Sequence, residues 1–120
     1  MFDFRQFDAT DSFGHSWNVS FLWQQNAISI RHADAVDVKF VLTDGETKEE
    51  KVIAMPYPLL TALAAKLGRP VNDSWCNKLS ALHLKKVIEP GEDLEKALIT
   101  MSPGDLDQAN RALEASRAAA

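Results

Sequence analysis

Thr47–Leu67 reads TKEEKVIAMPYPLLTALAAKL, and the fold turns on where its rhythm changes. Thr47 to Met55 is polar as far as Lys51 and apolar afterwards, which suits a strand entering a core. Pro56-Tyr57-Pro58 ends the sheet, because proline has no N–H to give to a ladder, and Pro58 suits the first turn of a helix. Leu59, Leu60, Leu63, Ala64 and Leu67 then follow at helical spacing. Gly68 supplies a C-cap and Pro70 enforces the stop. Strand patterns lie on one side of this junction and helix patterns on the other.

Upstream, three more alternations appear. Ser16 to Trp23 places Trp17, Val19, Phe21 and Trp23 on one face, with Asn18, Ser20 and Leu22 on the other. Gln24-Gln25-Asn26 reads as a polar turn. Ala27 to His32 alternates again, Ile28 and Ile30 against Ser29 and Arg31, and Ala33-Asp34 reads as a second turn. Val36, Val38, Phe40 and Leu42 oppose Asp37, Lys39 and Thr43 before a hairpin signal at Asp44-Gly45. Four strands with short links predict a meander with one face on a core and the other partly wet.

Downstream, Asn72 or Asp73 caps a second helix with Trp75, Cys76, Leu79, Leu82 and Val87 inward, and Glu89-Pro90-Gly91 ends it. Leu94, Ala97, Leu98 and Met101 fit a short helix, with a strand over 97–101 as the alternative. Ser102-Pro103-Gly104-Asp105 starts the last helix: serine caps, proline takes the first position and an acid the third. Leu106, Ala109 and Leu113 form its apolar stripe. The expected fold is therefore α+β: a four-stranded antiparallel meander over residues 16–55, packed against three C-terminal helices within 58–118. One domain spans 1–120, with an aromatic arm over 1–15. That arm holds Phe2, Phe4, Phe7 and Phe13, whose burial is worth about 1.5–3 kcal/mol each, so it is expected to pack on the domain's own core or on a second subunit.

Composition bounds the function. The chain has 120 residues, is 46% hydrophobic and 25% charged, and has a net charge of −4, so a packed core is expected without metals or disulfides. The single cysteine, Cys76, makes no internal disulfide and no cysteine zinc site, which fits a reducing compartment. The N-terminus lacks a basic and an apolar signal region, and the uncharged, largely apolar run from Val52 to Ala65 is too short to span a bilayer. A cytoplasmic location off the membrane is expected. Acidity argues against general nucleic-acid binding, although Lys66 to Lys86 is locally basic, with Asp73 its only acid.

Chemical groups do not cluster in the sequence. His15, His32 and His83 stand at no metal-ligand spacing, and no phosphate loop or nucleophile elbow is present, so no catalytic residue, metal or cofactor is expected. Cys76 and His83 are two helical turns apart, about 10 Å, too far to pair directly, and Cys76 reads as an apolar filler. Candidate ligand- or partner-binding residues are Trp17, Phe21, Trp23 and Trp75, an aromatic excess that suits a pocket or a dimer face, and Arg31, His32 and Asp34 at the predicted turn. The favoured function is a non-enzymatic interaction or regulatory module that self-associates as a homodimer or binds a protein partner. The alternatives are a small-molecule domain with Trp17, Trp23 and Trp75 lining a pocket between sheet and helices; an enzyme using His32 and Asp34; and a helix-turn-helix over 59–87 contacting DNA through Asn77, Lys78, Lys85 and Lys86.

Overall fold

The computed structural model describes residues 3–27, 35–89 and 97–118. Its elements run β1 (Gln6–Thr10), β2 (Ser16–Ala27), β3 (Ala35–Thr43), β4 (Lys48–Pro56), α1 (Tyr57–Leu67), α2 (Asp73–Ile88), β5 (Leu98–Thr100) and α3 (Pro103–Ala118). The sheet order is β1-β2-β3-β4-β5; the first four strands form an antiparallel meander, and β5 joins β4 in parallel. The class is α+β, with strands first and helices after.

The core face of the sheet carries Phe7, Trp17, Val19, Val38, Phe40, Leu42, Ile53, Met55 and Ile99, all buried. Helices bury Leu60, Trp75, Leu79, Leu84, Leu106 and Leu113 in the same cluster. Alternation explains the strands, since every second residue of β3 between Val36 and Leu42 enters this core. Proline and glycine bound α1 as expected: Pro56 precedes it, and Gly68 takes φ 66°, a left-handed geometry that suits a residue without Cβ. Asn72 is the N-cap of α2, its side chain accepting the Trp75 N–H. At α3, Ser102 and Asp105 exchange bonds: the Ser102 N–H donates to the Asp105 carboxylate and the Asp105 N–H to the Ser102 hydroxyl, at 2.9 and 3.1 Å.

The structure refines the sequence reading in several details. The aromatic arm supplies a strand of its own, β1, with Phe7 paired to Val19 and buried in the chain's own core, whereas Phe13 is 88% exposed. Gln24-Gln25-Asn26 is not a turn, because β2 continues to Ala27, opposite Ala35. The expected strand over Ala27 to His32 and the turn at Ala33-Asp34 fall, apart from Ala27, outside the described residues. Leu98–Thr100 is the strand alternative rather than a helix, because β4 has a free edge to satisfy: the Val52 N–H donates to the Ala97 carbonyl and the Met101 N–H to the Ala54 carbonyl. Finally, Thr43 pairs with Lys48, so the hairpin loop is residues 44–47, with Gly45 at φ 97°.

Candidate functional site

The decisive local feature is a β-bulge. Phe21 pairs with Phe40, and Trp23 with Lys39, so Leu22 is an extra residue on β2. An extra residue reverses the alternation beyond it. Trp17, Val19 and Phe21 stay on the core face, but Trp23 turns to the opposite face and Gln24 takes its place toward the helices, its side chain donating to Asp73 of α2 at 3.3 Å. The expectation that Trp17 and Trp23 share a face is therefore corrected.

Trp23 belongs to the sheet face turned away from the core cluster. Register lines up Trp23, Lys39, Val52 and Leu98 in one row across β2, β3, β4 and β5. The next row holds Gln25, Asp37, Ala54 and Thr100. Leu98 is 58% exposed, while Val41 and Ala54 on this same face are buried. The Lys39 ammonium lies 5.6 Å from the Trp23 ring centroid and 3.0 Å from the Glu50 carboxylate, and so covers the indole as a cation. Burial raises the Asp37 carboxyl above its ordinary pKa. Among the described residues no cation lies within ion-pair distance of it.

The other sequence candidates lie apart from this row. Trp17 is buried and stacks on His15 at 4.7 Å. Phe21 makes an edge contact with Phe40 at 6.1 Å and carries the Arg5 guanidinium 5.4 Å above its ring. Trp75 is wholly buried between helices and donates its indole N–H to Asn110 at 3.4 Å. Trp17 and Trp75 thus fill the core, and Trp23 does not join them in lining one space between sheet and helices. Arg31, His32 and Asp34 lie outside the described residues. Asn77, a contact of the helix-turn-helix reading, is buried, and Lys86 is engaged with Gln108 of α3.

Two further clusters carry polar chemistry. At the loop end of the meander, Asp11 accepts the Phe13 and His15 N–H groups and the Trp17 indole N–H, while Asp44 accepts the Thr47 and Glu46 N–H groups and a 2.6 Å contact from His15 Nε2. The backbone donors, with His15, draw the Asp44 carboxyl down to about 2. Both carboxylates are occupied in holding loops, which reads as architecture. Between α2 and α3, a groove of about 260 Å³ runs past His83, Lys86, Glu89, Asp105 and Gln108. There burial pushes the Asp105 carboxyl up, but the Ser102 bonds, His83 and Lys86 outweigh it and hold the carboxyl low. Cys76 is packed in the core, and burial pushes its thiol up to about 11. Among the described residues no group of three or more His, Cys, Asp or Glu could hold a metal ion, and no helix is long and apolar enough to cross a membrane.

Sequence reading missed the row because Leu22-Trp23 continues the alternation without a break. Lys39, with Asp37 of the next row, does leave a signal, because both oppose the core residues of β3 in plain alternation. The His15–Asp44 contact, between residues 29 apart, left none. Compared with protein-family models, curated proteins and solved structures, the chain matches none.

Proposed function

We propose that the chain is a non-enzymatic interaction module that self-associates through the face of its sheet turned away from the core cluster. The observation that carries this reading is the row Trp23–Lys39–Val52–Leu98 beside the row Gln25–Asp37–Ala54–Thr100. A two-fold interface requires that if residue i meets residue j, then j meets i. Asp37 and Lys39 are two apart on β3, the middle strand, and point to the same face. A two-fold axis lying between the stacked sheets, perpendicular to β3 and passing at Val38, sets Asp37 of each copy over Lys39 of the other. The same operation lays Val52 over Ala54 and Leu98 over Thr100, apolar or small against apolar.

Size supports the reading too. Nine residues of β3 at about 3.4 Å each, across five strands about 4.8 Å apart, give a face of roughly 600 Å². A standard interface takes about 800 Å² per partner, within reach once the rim side chains are added. Sheets stacked this way lie about 10 Å apart with strands within about 30° of alignment, a spacing that a lysine and an aspartate bridge. Withdrawal of Asp37 from water, with no cation at ion-pair distance among the described residues, becomes compensated when Lys39 of a second copy arrives.

The test is the solution mass of V52E at a concentration where the full chain is a dimer. Val52 is only part-buried on this face, so a carboxylate there leaves the fold intact while facing the apolar centre of the partner. Conversion to monomer with an unchanged far-ultraviolet spectrum is expected. A folded V52E dimer would remove this face from the interface.

A further inference from the structure

A second groove, of about 310 Å³, is lined by Arg69, Asn72, Ser74, Trp75, Lys78 and Leu113. It lies at the helical side of the molecule, and its chemistry is cationic. Arg69 and Lys78 are both partly withdrawn from water. Among the described residues neither has a carboxylate within ion-pair distance. Each is instead held in place by an aromatic ring. The Arg69 guanidinium sits 4.5 Å from the centroid of Trp75, and the Lys78 ammonium 5.7 Å from that of Phe4. Trp75 is itself fixed by full burial and by its bond to Asn110, so Arg69 rests on a rigid platform. Arg69 Nε also donates to the Pro70 carbonyl at 3.3 Å, which leaves the outer nitrogens of the fork for a ligand. Asp73, the one acid in this stretch, accepts from the Gln24 side-chain amide at 3.3 Å.

Half-buried cations without counter-charges are costly, and an anion offsets that cost. A guanidinium fork gives two parallel bonds to a phosphoryl group, an ammonium adds a point charge, and the exposed Ser74 hydroxyl adds a neutral donor. The cavity is at the small end of the range for ligand sites, about 300 Å³, which excludes a nucleotide-sized occupant. We infer that this groove is a binding site for a small phosphate monoester, with Arg69 and Lys78 holding the phosphoryl group and Ser74 orienting it. The site shares no residue with the sheet face, so it stands or falls separately from self-association.

The experiment is an amide and indole NMR titration of the full chain with inorganic phosphate and, separately, glycerol 3-phosphate, at constant ionic strength against chloride. Saturable shifts confined to residues 69–78 and the Trp75 indole N–H are expected, with a dissociation constant of about 1 mM or tighter for the monoester. R69Q and K78Q each weaken binding roughly tenfold or more, the loss of one charge-assisted contact, and R69K, which keeps the charge but loses the fork, also weakens it. Saturation by inorganic phosphate with no gain for the monoester would overturn the ligand class. Linear shifts spread over the surface, or equal affinity in R69Q and K78Q spectra that are otherwise unchanged, would overturn the site.

Discussion

Trp23 and Lys39 face one another across β2 and β3 on the side of the sheet turned away from the core cluster, the ammonium 5.6 Å from the ring centroid. That contact exists because Leu22 is inserted as a bulge. Without it, the indole would enter the core and Gln24 would face away from the helices. One extra residue therefore moves one of the two tryptophans of β2 from the packed face of the sheet to the opposite one.

The aromatic arm divides into a packed and an unpacked part. Phe7 is 7% exposed and Phe13 is 88% exposed. Removing a buried phenylalanine leaves a cavity, and F7A is expected to cost about 3 kcal/mol in urea denaturation. F13A should fall within about 0.5 kcal/mol of the parent chain. Equal losses at the two positions would contradict the packing of β1 on the chain's own core.

Asp44 predicts an acid limb in the stability profile. Its folded pKa, about 2, lies below the ordinary 3.8. A depressed carboxyl contributes stability that is complete above the unfolded pKa, and that contribution is lost as pH falls from about 4 to about 2. The D44N variant keeps an oxygen for the Glu46 and Thr47 N–H groups but has no proton to take up. Its thermal midpoint should fall less steeply than the parent's across that window. Asp11 and Asp105, both also held low, leave a residual slope. Parallel profiles for the two chains would remove Asp44 as a contributor.

Cys76 is expected to be inert in the folded protein. With its thiol at about 11, roughly one part in a thousand is thiolate at pH 8, and the residue is buried as well. Labelling by an aromatic disulfide reagent should proceed only through opening of the fold, and denaturant should release one equivalent at once. Immediate labelling of the native chain would show the thiol to be exposed.

Local pattern made much of this fold legible. Val36, Val38, Phe40 and Leu42 announce β3, Gly68 and Pro70 announce the end of α1, and Ser102 with Asp105 announces α3, because each depends on neighbours in sequence. β5 was ambiguous because Leu98–Thr100 is a strand only by virtue of the Val52 and Ala54 backbone groups that meet Ala97 and Met101. Gln24 and Gln25 carry the polarity of a turn, whereas register with Val38 and Asp37 keeps them in β2. The candidate face was half legible. Asp37 and Lys39 oppose the core residues in plain alternation, but the reversal that adds Trp23 depends on pairing with β3, which no stretch of β2 encodes alone.

The most direct test of self-association through the face turned away from the core is light scattering on a sizing column of the full chain, of D37K, of K39D and of an equimolar mixture of the two variants. The full chain should run at twice the chain mass. Each variant alone should run as a monomer, because like charges would then face each other across the axis, and the mixture should return to a dimer containing one copy of each. A full chain that stays at the monomer mass, or a mixture no heavier than its components, would contradict the account.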